Sequence, residues 1–76
     1  MTIQIKLFAN LKEIIGFSDK QIDASTAQTV NEAWNQITTI EMPASTLCSI
    51  NMEYVKPDHT IKDGDEVAFF PPVTGG

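Results

Sequence analysis

The sequence contains no arginine, and its basic charge is limited to five lysines against ten acidic residues. The resulting formal charge of −5 at pH 7 disfavours nucleic-acid binding, which depends on clustered Lys and Arg that neutralise phosphates. The same shortage disfavours binding to an anionic membrane surface. An acidic domain is better suited to a basic protein partner, because complementary fields raise the rate of encounter.

Cysteine and long apolar runs are also scarce. The single Cys48 excludes an internal disulfide and favours a reducing cytoplasm as the compartment. No segment approaches the roughly 20 apolar residues of a membrane span, and Met1 leads into a strand pattern without a signal peptide. The 76 residues suffice for one compact domain. They are too few for most self-contained enzymes, because an enclosing pocket would hollow out the core.

Periodicity predicts the first elements of this domain. Alternating apolar and polar residues predict a strand over residues 2–8, with Phe8 on the face opposite the apolar odd positions. A short helix is predicted next, with Asn10 as its N-cap and Gly16 at its C-terminal end. Its residues available for burial are Leu11, Ile14 and Ile15. A weaker strand is expected over residues 17–23, returning beside the first.

The main helix is predicted over residues 29–40. Thr29 and Glu32 form a capping box, and Pro43 marks the exit from the helix. The apolar positions recur at helical spacing, and they are Val30, Ala33, Trp34 and Ile37.

The second half of the sequence predicts short strands over residues 47–51 and 54–55. A Gly-centred turn and a last strand over residues 66–70 follow. Two hairpin-like strands, one amphipathic helix and a return to the sheet indicate an α+β, β-grasp (ubiquitin-like) fold: a mixed sheet on one main helix. The predicted domain is 1–70, and residues 71–76 would form a flexible C-terminal tail ending in Gly-Gly.

The tail carries the features that indicate a function. Pro71 and Pro72 favour a stiff, extended strut, and the six tail residues can reach at most about 20 Å. Gly75 and Gly76 carry no side chain, so they could thread a channel too narrow for a Cβ. A frayed chain end is the alternative interpretation. If Gly76 is functional, its carboxylate is the reactive group, and a partner must activate it, for example as an acyl-adenylate that a sulfur nucleophile then attacks.

Three stretches of the sequence resemble the MoaD/ThiS family of sulfur carriers. They are residues 7–13 with Gly16, residues 50–51 and residues 63–76. Within that family the resemblance is to the small subunits of molybdopterin synthase, and it covers nearly the whole chain. The run Phe-Phe-Pro-Pro-Val-Thr-Gly-Gly is its most specific part.

The resemblance implies a non-catalytic, sulfur-donating subunit of a heterotetramer active in molybdenum cofactor biosynthesis. A ubiquitin-activating-like adenylyltransferase would consume ATP to adenylylate Gly76, with no cofactor bound permanently, and thiocarboxylation would follow. The tail, with Val73, Thr74 and Gly75 in the channel, would enter the large subunit, which holds the catalytic residues. There the sulfur would pass to the pterin precursor. A carrier for thiamine or tRNA thiolation, and a ubiquitin-like modifier or binding module, are the alternatives.

The expected docking residues surround the root of the tail. Strand alternation predicts that Phe8 and Phe70 face outward as neighbouring aromatic anchors, followed by Pro71 and Pro72. Lys12 is also expected to contact a partner. The family often has Arg at this position, and Lys lacks the bidentate geometry of a guanidinium.

Other polar residues support no separate site. Cys48 is expected to be a buried, inert thiol, and His59 has no nucleophile at a recognisable spacing. The acidic residues Asp63, Asp65 and Glu66 are expected to be solvated around a turn, because a calcium loop spreads its ligands over twelve residues. No metal is therefore predicted.

Overall fold

The structure is a computed structural model that describes residues 1–71. Its strands are β1 (Thr2–Leu7), β2 (Asp19–Asp23), β3 (Leu47–Ile50), β4 (Glu53–Val55) and β5 (Glu66–Phe70). Its helices are α1 (Asn10–Ile15) and α2 (Val30–Ile37), with a 3₁₀ turn at Ala24–Thr26. The strand order β2-β1-β5-β3-β4 places the parallel pair β1 and β5 at the centre, and the other pairs are antiparallel. This arrangement confirms the β-grasp prediction.

The core lies between one face of the sheet and α2. Alternation along the central strands directs Ile5, Val67 and Phe69 inward, and each is fully buried. The Trp34 indole of α2 meets the Phe69 ring edge-on, with 5.0 Å between centroids and 75° between planes. The four apolar positions predicted for α2 are all buried, so this helix supplies the opposite wall of the core.

Helix α2 begins as predicted but ends three residues early, at Ile37. The Thr29 Oγ1 accepts a hydrogen bond from the Glu32 amide at 3.2 Å, which confirms the N-cap. At the other end Thr38 is extended, and its Oγ1 accepts from the Ile40 amide at 3.1 Å. A threonine side chain that bonds the backbone locally competes with helix continuation, which explains the early end.

Helix α1 forms, although two details of its prediction were wrong. Asn10 is the first helical residue and not the cap, because Ala9 occupies the N-cap position without a side-chain hydrogen bond. The first turn is closed by backbone instead, since the Ala9 carbonyl accepts from the Lys12 amide at 3.2 Å. Ile14 was expected to be available for burial but is 48% exposed, while Leu11 lies in the core.

Several turns use backbone with positive φ. Gly16 ends α1 at φ 105°, as predicted, and Gly64 at φ 89° turns the chain into β5. The two-residue connection between β3 and β4 consists of Asn51 at φ 50° and Met52 at φ 73°. Positive φ at both central residues is typical of a type I′ hairpin turn, which matches the twist of its strands.

We expect Ala9→Gly to raise the free energy of unfolding by about 1 kcal/mol. Ala9 has φ 53° and ψ −134°, a conformation that costs a residue with a Cβ roughly 1–3 kcal/mol. Part of the gain is offset by the added entropy of glycine in the unfolded chain, roughly 0.4–1 kcal/mol. Urea denaturation measures the effect. The control is Ala44→Gly, at an exposed alanine with negative φ, which should lose stability. Equal losses in both variants would contradict the prediction.

Candidate functional site

Three aromatic side chains form a continuous surface on the sheet face opposite α2. We call Phe8, Tyr54 and Phe70 the aromatic surface. The Phe8 and Phe70 rings stack with 4.7 Å between centroids and 7° between planes. The Tyr54 ring meets Phe70 edge-on, with centroids 6.1 Å apart. Phe8 is 41% exposed and Tyr54 72% exposed, so the surface is open to a partner. The outward direction of Phe8 and Phe70 is the one that strand alternation predicts.

Small residues beneath the rings explain how Tyr54 reaches Phe70. Tyr54 lies on the edge strand β4, and β3 separates it from β5. In the register, Ser49 of β3 stands between Tyr54 and Ala68, and both Ser49 and Ala68 are buried. Because these two side chains are short, they form a floor over which the larger rings meet. Tyr54 was not predicted as a site residue, since its partner across the sheet cannot be read from a single strand.

The root of the tail lies beside this surface. Strand β5 ends at Phe70, and the half-buried Pro71 follows it directly. The chain therefore leaves the sheet next to its exposed rings. The predicted tail residues Pro72, Val73, Thr74, Gly75 and Gly76 lie outside the described residues. Their assignment to a channel and to a reactive terminus stays a prediction.

Lys12 lies close to the aromatic surface, on α1. It is exposed, and together with Lys6 and Phe8 it lines a separate hollow of about 260 Å³. The structure thus brings Lys12 next to one of the two predicted aromatic anchors. Its contact with a partner stays a prediction.

A polar pair of an exposed Asn51 and a buried Asp65 joins the β3–β4 hairpin to the start of β5. The Asn51 Nδ2 donates to Asp65 Oδ1 at 3.0 Å, and the Asn51 Oδ1 accepts from the Glu66 amide at 2.9 Å. Asp65 Oδ2 accepts from the Lys62 amide at 2.9 Å. The expectation that Asp65 is solvated was wrong, because these bonds hold its carboxylate in a residue only 7% exposed. The pair fixes the hairpin that carries Tyr54.

Comparison with known proteins agrees with this fold. The model of the ThiS family matches residues 5–76. The chain belongs to the ThiS family. The molybdopterin synthase sulfur carrier subunit of Escherichia coli strain K12 is 34% identical to it in an alignment of 80 positions, gaps included, that covers 97% of this chain and 99% of the relative. The resemblance found in the sequence is thereby confirmed.

Two solved structures show the same architecture. Small archaeal modifier protein 1 of Haloferax volcanii has a TM-score of 0.77 at 26% identity, covering 95% of this chain and 98% of its own. The complex of subunits 1 and 2 of molybdopterin-converting factor from Helicobacter pylori contains a chain with a TM-score of 0.67 at 22% identity, covering 100% of both chains. The second likeness shows the fold alone. Proteins similar to this chain thus bear names of both carriers and modifiers.

The remaining candidate groups add no chemistry to the aromatic surface. Cys48 is 2% exposed on the inner face of β3, which confirms its burial, and desolvation raises the pKa of its thiol to about 11. His59 is exposed, and its Nδ1 lies 2.8 Å from the Thr60 carbonyl oxygen. Among residues 1–71, no three His, Cys, Asp or Glu side chains converge as metal ligands would. In the same part of the chain, no helix combines the length and apolar character of a membrane span.

Native Cys48 is expected to resist alkylation by iodoacetamide at pH 8. With its pKa raised from 9.0 to about 11, the reactive thiolate fraction falls on the order of a hundredfold, and burial slows the reagent further. Mass spectrometry after timed labelling measures the rate, with the urea-unfolded protein as the control. Native labelling as fast as in urea would show that the thiol is accessible.

Proposed function

We propose that this chain is the sulfur carrier subunit of molybdopterin synthase, donating sulfur from a thiocarboxylate at Gly76. The observation that carries the proposal is its 34% identity to a curated carrier subunit over nearly the whole of both chains. The ThiS family match extends through the Pro-Pro-Val-Thr-Gly-Gly run to residue 76. An aromatic surface beside the root of that run supports a carrier whose folded domain binds the partner while its tail enters the partner's active site.

Activation of Gly76 follows from carboxylate chemistry. One carboxylate oxygen attacks the α-phosphorus of ATP, which forms an acyl-adenylate and releases pyrophosphate. Hydrosulfide, or a donor that delivers sulfur at the same oxidation level, then attacks the acyl carbon and displaces AMP, and loss of the S–H proton leaves a thiocarboxylate. The ATP and the activating groups belong to the adenylyltransferase partner, so the carrier is a co-substrate of this step. Delivery of the sulfur to the pterin precursor takes place on the large subunit.

The body of this chain positions the tail during both steps. The aromatic surface and Lys12 would contact the partner, while the tail extends at most about 20 Å from Pro71. An apolar anchor at the root fixes the origin of the tail, and this raises the effective concentration of Gly76 at the partner's active site.

Intact-mass analysis tests the proposal directly. The protein is purified from cells with active molybdenum cofactor synthesis and, as the control, from cells that lack the adenylyltransferase. We expect a mass increase equal to the replacement of one oxygen by sulfur in the first sample and its absence in the second. An unmodified mass in both samples would contradict the carrier role.

A modifier role is the second candidate, because the chain is 26% identical to a protein named small archaeal modifier protein 1. A modifier would join Gly76 to a lysine amine of another protein. Higher-mass conjugates containing an isopeptide bond to Gly76 would support it. A carrier for thiamine or tRNA thiolation would show the same thiocarboxylate. Reconstitution with the large subunit and the pterin precursor distinguishes it, since only the molybdopterin carrier would yield the dithiolene.

A further inference from the structure

A hollow of about 230 Å³ lies on the outer face of the sheet, bounded by the aromatic surface. Its floor consists of the short side chains Ser49 and Ala68, and Glu66 stands at its border. The lining is completed by Met52 at the tip of the β3–β4 hairpin. An apolar trough with aromatic walls and one carboxylate suits a side chain that has an aliphatic stem and a cationic head.

Met52 supplies independent evidence that this hollow is used. It is 90% exposed, and its φ of 73° is a conformation in which glycine costs less than any residue with a Cβ. A large apolar side chain at such a position helps neither the turn nor the core. Residues that break a local rule without a structural gain are concentrated at functional sites. A flexible thioether suits a contact with a partner's side chain.

Within residues 1–71, the lining of the hollow includes one carboxylate, that of Glu66, and no cationic side chain. Glu66 of β5 pairs directly with Gln4 of β1, so its neighbour in that register is neutral. Lys6, the cation on the same face of β1, pairs with Ala68 of β5 on one side and with Asp19 of β2 on the other, and it is not one of the residues that line the hollow. The chain as a whole carries a formal charge of −5 and no arginine.

We propose that this hollow binds one arginine side chain of the molybdopterin synthase large subunit. Its guanidinium would pair with the Glu66 carboxylate and lie against the aromatic rings, while its methylene stem crosses Ser49 and Ala68. Arginine fits better than lysine, because a planar, weakly hydrated guanidinium stacks on aromatic faces and can bind a carboxylate with two hydrogen bonds. The inference rests on the proposed function, since it names the partner that the function requires.

Calorimetric titration against the large subunit encoded in the same genome tests the pairing. Glu66→Gln removes the charge and keeps the shape, and the interactions of Glu66 within residues 1–71 use its backbone. We expect it to weaken binding about tenfold. The matched control, Glu41→Gln, removes the same charge at an exposed residue next to Ile40, on the α2 side of the sheet, and should change affinity less than about twofold.

Met52→Gly separates binding from folding. It should raise the melting temperature, because glycine relieves the backbone strain of positive φ in the turn. It should also weaken binding several-fold, because it removes one wall of the hollow. A purely structural role of Met52 would leave the affinity unchanged.

A direct readout uses a large subunit labelled with ¹⁵N-arginine. One arginine Nε–Hε signal should shift when the wild-type chain is added and should not shift with Glu66→Gln. If Glu66→Gln binds as tightly as wild type, or if no arginine signal moves in the wild-type complex, the inference is overturned while the carrier role stands. If the wild-type chain does not bind the large subunit, both are overturned.

Discussion

Phe69→Ala is expected to unfold much of the protein, whereas Phe70→Ala is expected to leave it folded and to weaken partner binding. The two residues are neighbours in β5 but face opposite sides of the sheet. Phe69 is fully buried against Trp34, and truncation of a core phenylalanine costs roughly 3–5 kcal/mol. Small domains have roughly 5–15 kcal/mol of stability, so this loss is severe.

The Phe70 variant loses ring contacts with Phe8 and Tyr54 at the surface, which should cost about 1 kcal/mol of stability. Truncation of a central interface aromatic typically costs about 2 kcal/mol or more in binding, which corresponds to tens of fold in affinity. Thermal unfolding of the free protein and titration against the large subunit measure both effects. Each variant serves as the control for the other, because both remove the same ring. A Phe70→Ala protein that melts as early as Phe69→Ala would place Phe70 in the core.

Addition of one residue after Gly76, or deletion of Gly76, is expected to abolish thiocarboxylation completely. The proposed chemistry takes place at the carboxylate of this residue, and an extension moves that carboxylate beyond the activating site. Stability should change little, since the buried hydrophobic residues of the described part of the chain all lie between Ile3 and Phe69.

The measurements for the tail variants are pyrophosphate release by the adenylyltransferase and the intact mass of the product. The control carries the same extra residue ahead of Met1, and it should accept sulfur as the wild type does. An extended variant that still gains sulfur would overturn the role of Gly76.

The predicted elements that the structure confirmed are those set by local patterns. Strand β5 has the predicted bounds, because period-two alternation follows a turn that needs the positive φ of Gly64. The start of α2 was predicted through the cap at Thr29, and its buried stripe through helical spacing. The end of α2 was not predictable, because it depends on a competing bond of Thr38 and not on the apolar repeat.

The candidate site likewise has features that the sequence predicts and features that depend on the tertiary structure. The sequence by itself determined the fold class and the family, through the order of its elements and its motifs. It also determined the outward direction of Phe8 and Phe70, because strand alternation depends on residues close together in the chain. Only the tertiary structure decided that Tyr54 completes the aromatic surface and that Asn51 binds Asp65, fourteen residues away. The physical reason is that strand pairing sets which side chains meet. A contact across β3 between two strands distant in sequence leaves no periodic signal in either one.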